Sequence, residues 1–129
     1  FDLDIAHQIV EIFNRNDCDF INNNHFRSYP DGMDIQIFSF DALKKSFFGA
    51  KTRLEKEHVT LYIRKNMKKF KVINLISSNK LYWPKLGLTI DEYKDFILIK
   101  KLIEYFSKKN NYYFSCEEAI DVIKKKKMV

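Results

Sequence analysis

Three aspartates, a histidine and an arginine carry most of the chemistry this sequence can offer. In Ser28-Tyr29-Pro30-Asp31-Gly32-Met33-Asp34 a proline and a glycine bracket Asp31, and Asp34 follows two residues after the glycine. The chain holds three glycines and two prolines in 129 residues, so finding one of each so close together marks a turn. Pro30 suits position i+1 of a turn, and in the register one residue later Gly32 can take a positive φ at i+2 of a type II turn. Two carboxylates are thereby set near one another, either bracing a loop or facing a polar ligand. Asp91 follows Leu88-Thr89-Ile90 and precedes a long helical pattern. A carboxylate there is either an ordinary helix cap or a hard oxygen ligand at the end of a strand, where open α/β sheets bind Mg2+ and phosphates. His58 offers an imidazole that could hold a phosphate or hydroxyl; a half-buried helix histidine is the alternative. Arg53 offers a bidentate fork for carboxylate or phosphate, or a surface ion pair. Glu57 lies in the same segment.

These residues must be held by elements, and the pattern supplies them. Ile5, Ile9, Ile12 and Phe13 recur at helical spacing over residues 3–15, with Asp2 or Asp4 as cap. Cys18 to Ile21 predicts a short buried strand, and Asn22 to Asp31 a polar loop. Ile35 and Ile37 alternate with Asp34, Gln36 and Phe38, which predicts a second strand. Ser39 can cap a helix through Phe48 that ends at Gly49. Thr52 and Glu55 have capping-box spacing, opening a helix with Leu54, His58, Leu61 and Tyr62 on one face. Phe70 to Ile76 and Leu88 to Ile90 predict further strands. A long helix follows, with Phe96, Ile99, Ile103 and Phe106 as its expected buried stripe. Ser115 and Glu118 form a second capping-box pattern before a last helix through about Lys125. Helices alternating with short strands predict an α/β fold in a single domain over residues 1–129; an all-α bundle is the alternative.

Bulk properties narrow the function classes. Cys18 and Cys116 fit no metal or redox spacing, so two reduced thiols in a cytoplasmic protein are expected. The apolar runs are too short for a membrane-spanning helix, and the acidic start Phe1-Asp2-Leu3-Asp4 is unlike a signal peptide. The net charge of +6 could attract phosphates or nucleic acid, yet part of it is the solvated run Lys124 to Lys127. Isolated at 32, 49 and 87, the glycines have no spacing that could cradle phosphates.

Three blocks carry a resemblance. "YPDGMDIQIFSFDAL", "RLEKEHVTLYIRKN" and "LGLTIDEYKDFILIKKLIEYF" stand in the order and with the gaps of the acylneuraminate cytidylyltransferase family, and are most similar to its spore-coat polysaccharide biosynthesis branch. The resemblance spans roughly Phe1 to Lys125. It implies a Rossmann-like nucleotidyltransferase sandwich, commonly a homodimer. The implied reaction uses CTP and Mg2+ to transfer a nucleotidyl group onto a sugar, releasing pyrophosphate. It further implies that Asp91 is a metal ligand, that Asp31 and Asp34 belong to the loop facing the sugar, and that Arg53, Glu57 and His58 contact substrate. The sequence departs from the family pattern at Leu61 and near Tyr93 and Lys94, where proline is usual.

The family's Gly-rich nucleotide loop and its first metal-binding aspartate have no counterpart here. The opening "FDLDIAHQIVEIF" resembles the segment after that aspartate. The chain is therefore expected to be the C-terminal, sugar-side half of such an enzyme, inactive by itself. Two other readings stand beside it. One is a non-catalytic dimerisation or scaffold module derived from the fold. The other is a small basic nucleic-acid-binding protein, against which the lysines are interleaved with acids along helices.

Overall fold

The computed structural model describes residues 2–129. Its centre is a three-stranded sheet in the order β2-β1-β3, formed by Phe20–Asn22, Gln36–Phe38 and Val72–Asn74. β1 pairs antiparallel with β2 and parallel with β3. Three rungs cross it. Phe38, Phe20 and Val72 form the first, Ile37, Ile21 and Ile73 the second, and Gln36, Asn22 and Asn74 the third. Because successive strand residues face opposite sides, the first two rungs feed two different cores. The Phe20 rung packs with Ala42, Ile63 and Phe70. The Ile21 rung packs with Ile5, Ile9, Leu98, Leu102, Phe106, Ile120 and Ile123. Helices therefore cover both faces. The third rung consists entirely of amides, and it lies at the carboxyl end of the parallel pair.

The helices are α1 (Leu3–Arg15), α2 (Phe40–Gly49), α3 (Arg53–Glu57), α4 (Leu61–Lys65), α5 (Tyr93–Ser107) and α6 (Cys116–Lys126), with a short 3-10 turn at Met67–Lys69. Local capping sets their starts. Ser39 accepts the Ala42 N–H, and both expected capping boxes, Thr52 with Glu55 and Ser115 with Glu118, are present. The Lys51 and Thr52 N–H groups that Glu55 accepts hold its carboxyl below the ordinary range.

Asp2 caps two helices at once. One carboxylate oxygen accepts the Asp4 and Ile5 N–H groups of α1 at 2.8 and 3.0 Å. The other accepts the Cys116 N–H at the start of α6 at 2.5 Å. A helix N-terminus ordinarily lowers a thiol's pKa, yet Cys116 is pushed up to about 12, first by burial and then by the charge of Asp2. Cys18 is also raised, by burial and then by Asp19 and Asp17, but it is less buried. Iodoacetamide at pH 8 should therefore modify Cys18 well before Cys116, as followed by mass spectrometry of intact protein. Equal rates would contradict the packing described. Since the folded state holds the Cys116 proton more tightly than the unfolded chain, stability should fall as pH climbs from the ordinary thiol value of 9.0 towards 12.

Several expectations need correction. The helix expected from Thr52 onward is broken: α3 ends at Glu57, His58 caps it, and α4 begins after Thr60. The break falls at β-branched Val59 and Thr60, and the Thr60 hydroxyl donates to Gln36 at 2.7 Å instead of capping α4. Leu54, His58, Leu61 and Tyr62 therefore do not share a helix face. The strand expected at 70–76 shortens to Val72–Asn74, and Leu88 to Ile90 forms none, leaving an isolated parallel bridge between Asp31 and Gly87. On α5 the fully buried residues are Leu98, Leu102 and Phe106, with Ile99 partly buried; Phe96 and Ile103 are about half exposed. Apolar residues surround more than half of this helix, so periodicity alone could not select its inward side.

Candidate functional site

The site is built outward from the amide rung. Asn22 donates to Asn74 at 2.8 Å, joining the carboxyl ends of β1 and β3. Its oxygen accepts the His25 N–H at 2.8 Å, which turns the chain away from the sheet. Asn23, 1% exposed, donates to the Met33 carbonyl at 2.8 Å and accepts the Ile35 N–H at 2.7 Å. One buried amide thus fixes both sides of Asp34 and leaves that carboxylate pointing away from the core.

A chain of polar contacts then runs across the surface. The Thr60 hydroxyl donates to Gln36, and Gln36 donates to Asn24 at 3.0 Å. Asn24 donates to Asp34 at 3.3 Å. The Arg27 guanidinium reaches Asp34 at 3.8 Å and Asp31 at 3.0 Å. All three charged groups are a third or more exposed, so these ion pairs fix geometry more than they add stability.

The turn itself differs in register from the expectation. The Met33 N–H donates to the Pro30 carbonyl at 3.2 Å, so Pro30 occupies position i and Asp31 position i+1. Gly32 does take i+2, with φ +95°. A Cβ there would lie 2.4 Å from the Leu88 carbonyl oxygen, so the close approach of two backbones also requires glycine. The same segment is sewn to residues 77–88. The Ser28 hydroxyl accepts the Ser77 N–H, and its carbonyl accepts the Trp83 N–H. Asp31 donates to the Leu86 carbonyl at 2.8 Å and accepts the Leu88 N–H at 2.9 Å.

That pairing delivers Asp31 to Asp91. Both line a cleft of about 280 Å³ with Lys85, Thr89, Glu92, Lys94 and Asp95. Asp95 is held by the Thr89 hydroxyl at 3.2 Å and the Glu92 N–H at 3.1 Å. Glu92 pairs with Lys94 at 2.8 Å and holds that ammonium above its ordinary range. Asp91 is exposed and sits in a bend, while Glu92 is the N-cap of α5. Asp91 does not cap the helix, so the bland role is absent, but neither does it close the strand at whose end a metal ligand is expected.

Of the residues singled out by sequence, Asp31 and Asp91 share the cleft, and Asp34 adjoins it through Arg27. Arg53, Glu57 and His58 are exposed on α3 and its C-cap and do not line it. Their segment connects to the turn through Thr60 and Gln36. Arg27, Asn22, Asn23, Asn24, Gln36, Thr60, Asn74 and Asp95 were not anticipated. The three consecutive asparagines looked like loop composition, and their partners lie far away in sequence.

Among the described residues no three His, Cys, Asp or Glu side chains converge as a metal site. Of the cleft's carboxylates Asp91 is exposed while Asp31 is engaged by Arg27 at 3.0 Å, and Mg2+ commonly takes only one or two carboxylates, completing its shell with water and substrate phosphates. Among the described residues no helix is long and apolar enough to cross a membrane.

The mixed α/β fold, with its small sheet and covering helices, is similar to part of a solved cytidylyltransferase. The solved cytidylyltransferase of Leptospira borgpetersenii serovar Hardjo-bovis superposes with a TM-score of 0.87 and 32% identity over 96% of this chain. The chain is also 34% identical over 104 residues, 81% of its length, to "Uncharacterized protein MJ1063" of Methanocaldococcus jannaschii. It spans about half the length of these relatives, 51% of the first and 42% of the second. No protein-family model matches the sequence.

Proposed function

We propose that this chain is the sugar-side, C-terminal portion of a CTP-dependent sugar nucleotidyltransferase. In this reading it belongs to the acylneuraminate cytidylyltransferase family, spore-coat branch, has a Rossmann-like sandwich when complete, and works in the cytoplasm as a homodimer with Mg2+. The observation that carries the proposal is that Asp31 and Asp91, distant in sequence, line one cleft, which Arg27, Asp34 and Asn24 connect to the loop leaving the carboxyl end of β1. Ligands of open α/β sheets bind at that edge. The similarity to a solved cytidylyltransferase supports the reaction class.

Attack on the α-phosphorus builds negative charge on phosphate oxygens, and bound Mg2+ supplies positive charge to them. Asp91 would hold the ion, and Asp31, paired with Arg27, would belong to the loop facing the sugar. Asp34, oriented by Asn24 and Arg27, accepts a hydrogen bond from a sugar hydroxyl. Arg53, Glu57 and His58 lie outside the cleft as described and would act only by contacting the outer part of the sugar.

The test is pyrophosphate release from CTP by this protein joined to whatever its gene encodes before Phe1. Release should require both Mg2+ and an acidic or activated sugar. Asp34→Asn should raise KM for the sugar about tenfold, the loss of one charge-assisted hydrogen bond, with KM for CTP unchanged. Absence of release across such sugars, with thermal stability indifferent to CTP and Mg2+, would instead favour the scaffold module.

A further inference from the structure

The opposite end of the sheet carries a second constellation. Asp41, Lys44, Lys45 and Phe48 stand at i, i+3, i+4 and i+7 of α2, so they share one helix face. Across from them lie Tyr62 of α4 and Lys69 and Phe70, which lead into β3. Together they line a groove of about 630 Å³, within the size range of small-ligand sites, roughly 300–1,000 Å³. Phe70 and Val72 pack with Phe20 at the start of β1, so the groove flanks the amino ends of the parallel strands. The amide rung and the Asp31–Asp91 cleft belong to the other end.

Three features distinguish this groove from a solvated helix face. Lys44 and Lys45 from α2 and Lys69 from the turn before β3 line one groove, and among the described residues none of the three, like most of the chain's cations, has a carboxylate within ion-pair distance. Its walls are aromatic: Tyr62 meets Phe70 edge to face with ring centroids 6.3 Å apart, and Phe48 is 75% exposed. Finally, the floor is shaped by a glycine. A Cβ on Gly49 would lie 2.3 Å from the Tyr62 ring, so only glycine lets that ring lie against the end of α2. The Lys69 ammonium stands 5.7 Å from the Tyr62 ring centroid and 3.5 Å from its hydroxyl.

Unpaired ammonium groups call for an anion, and exposed rings call for a flat partner. We infer that this groove binds a nucleoside phosphate, with the base against Phe48 and Tyr62 and the phosphates among Lys44, Lys45 and Lys69. Asp41, the one carboxylate present, accepts hydrogen bonds from the sugar hydroxyls at the groove's end. The site is separate from the proposed reaction centre and does not depend on that proposal.

The experiment is an amide NMR titration of the 129-residue chain with ATP, inorganic triphosphate and adenosine as probes. ATP should move the Lys44, Phe48, Gly49 and Tyr62 signals saturably, and bind at least tenfold more tightly than either triphosphate or adenosine alone. Lys44→Ala combined with Lys69→Ala should weaken ATP binding at least tenfold, as should Phe48→Ala; all three side chains are exposed, so the fold should survive. Triphosphate binding as tightly as ATP would overturn the site as a mere charge effect. Shifts confined to Asn22, Asp34, Asn74 and Asp91 would assign nucleotide to the other end. Concentration-dependent broadening of the groove signals without probe would show that a second copy of the chain occupies it, and a longer nucleic acid binding far more tightly than ATP would also overturn the assignment.

Discussion

Gly32→Ala should lower the melting temperature by about 10 °C, the expected consequence of roughly 3 kcal/mol in a chain of this size. Two costs combine. An alanine at φ +95° occupies left-handed backbone space, at about 1–2 kcal/mol. Its Cβ would also stand 2.4 Å from the Leu88 carbonyl oxygen and 2.9 Å from the carbonyl carbon. Backbone atoms cannot swing aside as a side-chain end would, so the two segments must separate, at about 1–3 kcal/mol. Those segments carry Asp31 and Leu88, whose pairing sets Asp31 beside Asp91. A calorimetric scan checks the stability, and amide shifts at Asp31 and Asp91 check the separation. Gly87→Ala is the informative comparison. Its Cβ would meet an Asp95 carboxylate oxygen at 3.3 Å, and a side chain can yield by a few tenths of an ångström. A variant at Gly32 as stable as one at Gly87 would show that the turn is not held as described.

The features that sequence exposed are those whose physics is local. Ser39, Thr52 with Glu55, and Ser115 with Glu118 each satisfy N–H groups within three residues, so capping could be recognised without knowing the fold. The same holds for Gly32, although the proline before it opens the turn rather than occupying its second position. Non-local features were hidden. Asn22 and Asn74 are joined across 52 residues, and only the strand register makes Gln36 the third member of their rung. Arg27 looked like one cation in a polar loop until the turn brought Asp31 and Asp34 within its reach. Asp91 was expected at a strand end, but the strand is absent and a single bridge at Gly87 performs the positioning. In α5, apolar residues on several sides made the choice of buried stripe a tertiary matter, settled by the core it shares with α1, α6 and the 29–33 turn rather than by the helix itself.

Asn23→Ala should be comparably damaging, because it strips partners from the backbone while removing little volume. The Asn23 amide is the partner of the Met33 carbonyl and the Ile35 N–H, with donor–acceptor distances of 2.8 and 2.7 Å. Truncation leaves both without that partner beside a residue 1% exposed, where water has poor access. Each unsatisfied buried group costs about 1–3 kcal/mol, so a total near 3 kcal/mol is expected. Asn23 still contributes its own N–H to the Ile35 carbonyl at 3.3 Å, so the strands should stay paired while the 33–35 segment loosens. Hydrogen exchange can separate these outcomes. Protection should fall most at Ile35, whose N–H loses its acceptor, and much less at Ile21 and Ile73 in the adjoining rungs. Asn23→Asp sharpens the test, since a carboxylate retains the acceptor for Ile35 but places an uncompensated charge against the Met33 carbonyl. It should restore protection at Ile35 while leaving the protein less stable than the parent chain. If both variants exchange like the parent, the buried amide does not orient Asp34, and the carboxylate must owe its position to Arg27 and Asn24 alone.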